Sequence, residues 1–156
     1  MAQGLSHKNV AKAEQILGDA SAALKCLHAR HPQVAIHLVG FCFGGHVAFL
    51  AATLLRVEHA FDFYGAGVSR MRPGNGEPSL ALLPEIKVRL TCVFGTADPL
   101  IPPEDRVAIG AALIKVDPAA QRLRFVENAG ADHVYVRSPQ GIDSPGLSPG
   151  TALAAG

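Results

Sequence analysis

Residues 34–49 read VAIHLVGFCFGGHVAF, and this stretch constrains the fold more than any other. The run 34–41 is too apolar for an in–out alternation, which predicts a strand buried on both faces, the pattern of a parallel sheet. From Gly44 the chain turns to GGHVAFLAATLLR, rich in Ala and Leu, which predicts a helix. Between them stands G-x-C-x-G. A residue on a tight turn leaving a strand is forced into strained backbone angles and stands clear of the sheet. Glycines two before and two after it, Gly40 and Gly44, relieve the crowding, and Gly45 lets the helix start close to the strand. The side chain of Cys42 would then sit over a helix N-terminus, where the dipole and free N–H groups favour an anion. The N–H of Phe43 would be placed to donate to an oxyanion. The plainer reading is a glycine-rich turn in which Cys42 only fills space. Some such turns bind phosphates.

The remaining chain supplies the rest of a sheet. Residues 9–31 carry apolar side chains at helical spacing up to Pro32. HAFDFYG (59–65), KVRLTCVFG (87–95) and RLRFVENA (122–129) predict three further strands, and residues 102–116, opening on two prolines, predict a helix. Strand, helix, strand, loop, strand, helix, strand is the rhythm of an α/β fold of about four parallel strands with crossover helices. The loop at 65–86 is long and rich in Gly and Pro, as functional or mobile loops often are. Residues 138–156 have almost nothing to bury. The expected organisation is one domain over 1–137 and a disordered tail over 138–156.

Composition removes several function classes. The formal charge is +1, with Lys and Arg scattered, so neither nucleic acid nor an anionic membrane is expected as a partner. No N-terminal h-region and no bilayer-length apolar run is present, which makes the cytoplasm the expected compartment. The cysteines are Cys26, Cys42 and Cys92, an odd count without CxxC or Cys/His ligand spacing. Neither a disulfide framework nor structural zinc is expected, and no cofactor is called for.

A cysteine nucleophile needs a base, and the base an orienting acid. In a parallel sheet both belong on loops after later strands, at the end where the cysteine stands. The third strand runs into VFGTADPLIP, which offers Asp98, and the fourth into ENAGADHVYVR, which offers His133. The chain order Cys, Asp, His is that of a nucleophile-elbow fold. The other histidines are placed less well. His7, His28 and His31 lie on or beside the first helix, His37 lies within a strand, and His59 begins one at the wrong end of the sheet. His46, one turn into the helix after Cys42, reads as packed or solvated. Among acids, Asp132 adjoins His133 too closely to hold its ring, while Asp105 and Asp117 belong to a helix and its end.

GFCFGG, FYG, VFGTADPLIP and GADH, together and in this order, resemble the dienelactone hydrolase family of the α/β-hydrolase fold over about residues 10–137. The resemblance implies a Cys42–His133–Asp98 triad acting on a small-molecule ester or lactone. It also implies that Arg137 binds a substrate carboxylate and that Tyr64 lies near the pocket. The match departs from the family at both ends. The match is expected to lack the strands that members place before the elbow, and with them a second oxyanion N–H, an acid controlling the cysteine and another arginine. Val134 stands where a glycine is frequent, and the tail looks unable to form the helix that follows the histidine loop. The expectation is therefore a partial α/β-hydrolase fold. Its alternative function is that of a catalytically weak fragment serving as a binding or scaffold domain. With no partner strand before it, 34–41 would lie at a sheet edge, and the chain is expected to self-associate there.

Overall fold

The computed structural model describes residues 12–137. Helix α1 (Ala13–Arg30) leads to strand β1 (His37–Phe41), followed at once by helix α2 (Phe43–Leu54) and strand β2 (His59–Phe63). A 3-10 segment, Ser79–Glu85, interrupts the long loop before β3 (Arg89–Gly95). Helix α3 (Pro103–Val116), β4 (Leu123–Asn128) and a short 3-10 turn, Tyr135–Arg137, complete the path. The expected four parallel strands pair in the order β1-β2-β3-β4. The expected tail lies outside the described residues. No described helix is long and apolar enough to cross a membrane.

Alternation along the strands decides which side chains meet the helices. Gly40, Asp62 and Cys92 are neighbours in register, and Cys92 pairs onward with Phe125. A methyl on Gly45 of α2 would collide with the Asp62 carboxyl, and one on Gly110 of α3 would touch the Phe125 ring. Both helices therefore cover the same face, and α1 lies against α2. The core sits on this side. Phe49 and Leu50 from α2, Leu90, Cys92 and Phe94 from β3, and Ile109 and Leu113 from α3 are all buried.

The expectation that β1 is buried on both faces is corrected. Its residues alternate between outward His37, Val39 and Phe41 and inward Leu38 and Gly40, and Val39 and Phe41 are 50% and 40% exposed. The reason is that the described helices all lie on one side. On the other, Phe41 stacks on Phe63 at 5.2 Å and Phe61 lies 6.4 Å from Phe63, forming an aromatic row that no described element covers.

Among the described residues β1 also has a partner on one side only, so a row of backbone N–H and C=O groups is unpaired there. Self-pairing through residues 34–41 is proposed on that ground. Light scattering coupled to size exclusion at low micromolar concentration should find a species of at least twice the monomer mass. A stable monomer with slow amide exchange in 34–41 would show that the edge is covered.

Candidate active site

The junction of β1 and α2 has the geometry its glycines imply. Cys42 adopts φ 56°, ψ −123°, a conformation in which a non-glycine residue stores about 1–3 kcal/mol of strain. The strain is held from both sides. The Cys42 N–H donates to the Phe63 carbonyl at 3.0 Å, and its own carbonyl accepts the N–H groups of Gly45 and His46 at 2.9 and 3.2 Å. A methyl on Gly40 would strike the Gly44 carbonyl, so the strand can enter this turn only with glycine there. The Phe43 N–H has no hydrogen-bond partner among the described residues and stands free at the start of the helix.

Two loops at the same end of the sheet bring the other candidates together. Asp98, buried after β3, accepts the Leu100 N–H on Oδ1 at 2.8 Å. Its Oδ2 lies 2.7 Å from Nδ1 of His133, which follows β4. A carboxylate on Nδ1 makes that nitrogen the donor and leaves Nε2 as the acceptor. Nε2 is buried and without a hydrogen-bond partner, so the Cys42 thiol is not bonded to it in this arrangement.

The loops are tied to each other as well. The Ala97 N–H donates to the Ala131 carbonyl at 3.0 Å, the Gly130 N–H to Thr96 Oγ1 at 2.8 Å, and Asn128 Nδ2 to the Tyr135 hydroxyl at 2.7 Å. A side chain on Gly95 would collide with the Ala131 carbonyl, so this close approach also demands glycine. Arg106 of α3 fastens the acid loop through the Ile101 carbonyl and pairs with Glu127 of β4, both at 2.7 Å.

Tyr64 stands in the middle, at φ 42° and fully buried. Its ring lies 5.1 Å from His133, 5.7 Å from Tyr135 and 6.1 Å from Phe41. In this structure the ring backs the histidine. The backbone of Arg137 closes the last 3-10 turn, and its side chain lies outside the described residues.

The competing residues are occupied elsewhere. His46 is buried, bonded to the Ala66 carbonyl at 3.1 Å and to Ser79 Oγ at 2.7 Å, which anchors the long loop to α2. Asp105 pairs with Arg70 at 2.7 Å. Asp117 accepts the N–H groups of Leu123 and Arg122, bonds that hold its carboxyl below the usual range. Asp132 accepts the Val134 N–H at 3.1 Å. Sequence reasoning missed the tie between Asn128 and Tyr135 and the anchor at Arg106, since neither carries a motif.

The cysteines differ in access. Cys26 is exposed, Cys42 half-buried and Cys92 buried, with burial pushing the Cys92 thiol well up. Iodoacetamide should therefore modify Cys42 well before Cys92 in the folded protein, with Cys26 as the exposed reference. Equal labelling of Cys42 and Cys92, read by mass spectrometry, would overturn the elbow reading.

A model of the dienelactone hydrolase family matches residues 2–144. A carboxymethylenebutenolidase from Pseudomonas putida is 33% identical over 125 residues, covering 78% of this chain and 47% of that protein. A Synechocystis protein assigned as a carboxymethylenebutenolidase is 37% identical over 100 residues, covering 64% of this chain and 39% of its own length. The chain thus spans less than half the length of these curated relatives. Among solved structures, a Klebsiella pneumoniae protein assigned as a dienelactone hydrolase superposes with a TM-score of 0.67 at 20% identity, over 88% of this chain and 55% of that one. An α/β serine hydrolase from Xanthomonas campestris gives 0.57 at 21% identity, over 81% and 50%.

Proposed function

Because this chain belongs to the dienelactone hydrolase family, we propose that Cys42, His133 and Asp98 form a triad that hydrolyses a small-molecule ester or lactone, as a carboxymethylenebutenolidase does. The observation that carries this reading is the pairing of a strained cysteine elbow with a buried Asp98–His133 couple whose Nε2 is unbonded.

The chemistry follows from those atoms. Rotation of the Cys42 side chain brings the thiol to Nε2 of His133, which takes its proton. The thiolate attacks the carbonyl carbon, and the Phe43 N–H donates to the oxygen as it gains charge. Collapse breaks the ester C–O bond, and the proton on Nε2 passes to the leaving oxygen. Water then attacks the thioester, gives one proton to Nε2, and releases the acid. The proton returns to the Cys42 sulfur. Asp98 keeps the imidazole in the tautomer that each step needs and stabilises its cationic form. No step requires a metal or cofactor.

Arg137 is proposed to bind a carboxylate on the substrate and Tyr64 to lie at the substrate pocket, both on the resemblance to the family; the Tyr64 ring, 5.1 Å from that of His133, is compatible with that place. The three unpaired thiols suit a reducing cytoplasm. Turnover of p-nitrophenyl acetate by the purified chain tests the proposal. Hydrolysis no faster than buffer at saturating substrate would overturn it.

A further inference from the structure

Asp62 is a fully buried acid that the triad does not use. It lies near the end of β2, in register between Gly40 and Cys92. Oδ1 accepts the Gly65 N–H at 2.8 Å. The carboxyl fills the space between the first turn of α2 and the turn that leaves β2, because a methyl on either Gly45 or Gly65 would collide with Oδ1. Oδ2 is buried, with the Cys92 thiol of β3 as its neighbour.

The turn that this carboxyl closes reaches both candidate reacting groups. The Phe63 carbonyl receives the Cys42 N–H at 3.0 Å. One residue on, Tyr64 donates its N–H to the Val93 carbonyl at 2.8 Å, and its ring lies 5.1 Å from that of His133. An apolar side chain could fill the same volume but would leave the Gly65 N–H buried without an acceptor, the costlier outcome. We propose that Asp62 is a positioning residue which, through the turn at 62–65, holds the Cys42 backbone and the His133 ring in fixed relation. The proposal rests on reading Cys42 and His133 as the reacting pair.

The groups facing the carboxyl are few. β3 presents the Cys92 thiol, and α2 presents Gly45 and the backbone of His46, whose ring is turned to Ala66 and Ser79. β1 presents Gly40. Burial outweighs the Gly65 and Cys92 contacts and lifts the carboxyl to about 7. Near neutral pH a charge thus enters beneath the elbow and should shift the turn.

The experiment compares Asp62→Asn and Asp62→Ala with the parent protein. It reads kcat and KM for p-nitrophenyl acetate, and the rate of Cys42 alkylation with Cys26 as internal reference. The amide oxygen of asparagine can still accept from Gly65, so Asp62→Asn should keep kcat within about threefold. Asp62→Ala should lower kcat by about tenfold or more with little change in KM, since small misplacements of reacting groups are costly. It should slow Cys42 alkylation similarly. A folded Asp62→Ala protein with kcat and Cys42 alkylation within about twofold of the parent would overturn the proposal. If Asp62→Ala does not fold, Asp62→Leu decides, since leucine fills the space and offers the Gly65 N–H no acceptor. A folded Asp62→Leu protein with kcat and Cys42 alkylation within about twofold of the parent would overturn the proposal. If the parent shows no turnover, the hydrolase reading alone fails, and Cys42 alkylation still decides the role of Asp62.

Discussion

Cys42→Ala and His133→Ala should each reduce hydrolysis of p-nitrophenyl acetate by a factor on the order of ten thousand or more, to the buffer rate, and Asp98→Asn should reduce it strongly, by about a thousandfold to ten thousandfold. On the proposed mechanism, the first two losses remove the sulfur that would bond the carbonyl carbon and the imidazole that would take its proton. The third acts through orientation. Asp98 Oδ2 accepts from His133 Nδ1 at 2.7 Å, and an amide there can present a donor in its place, which reverses the tautomer and leaves Nε2 protonated. The folds of the variants should be close to that of the parent. Alanine keeps the Cβ that the backbone at Cys42 already carries, so the strain there is unchanged, and Asp98→Asn still offers an acceptor to the Leu100 N–H. Double substitutions should cost little more than the worst single one, because the three groups act as a unit. Activity surviving Cys42→Ala would place the chemistry elsewhere.

The contribution of Asp62 to conformational stability should fall as pH rises from about 4 to about 7, against a smaller opposite contribution from His59, whose burial lowers its pKa, and Asp62→Asn should remove that fall. The Asp62 carboxyl titrates near 3.8 in an unfolded chain and near 7 in the fold, with burial as the main cause. Between those values the folded protein binds the extra proton, so raising the pH favours unfolding. The contribution is fully present below pH 3.8 and is lost as pH passes through about 7. Each tenfold gain in proton affinity on folding is worth about 1.4 kcal/mol, so the change is at most about 4 kcal/mol, a large part of the stability of a small domain. Urea midpoints at pH 4 and pH 8, followed by circular dichroism, measure it directly. Equal pH dependence in the parent and Asp62→Asn would show that the carboxyl is ionised or solvated in the fold.

Much of the candidate site can be read from the sequence, and for identifiable reasons. G-x-C-x-G marks an elbow because only glycine survives the approach of Gly40 to the Gly44 carbonyl. Asp98 and His133 could be picked out because parallel strands deliver their following loops to one end of the sheet. The strands at 59–63, 89–95 and 123–128 and the helix at 103–116 follow from apolar runs bounded by Gly and Pro. Chain order and residue type sufficed for these.

Which face of the sheet is the inside was a different matter. HAFDF alternates, so the sequence separates Ala60 and Asp62 from Phe61 and Phe63. Hydrophobicity alone would bury the phenylalanines. The fold buries Ala60 and Asp62 and leaves Phe61 and Phe63 half-exposed. The elbow dictates this: α2 leaves Cys42 through two glycines and comes down so close to β2 that the Asp62 carboxyl fills the gap. The same placement of helices on one side opens the outer face of β1. The sequence by itself determined the four strands and three α-helices of the described residues, their order and the residues at the strand ends, but neither 3-10 segment nor the start of β1 at His37. Tertiary structure alone determined which face meets the helices, because an alternating strand has two faces and only packing against another element distinguishes them.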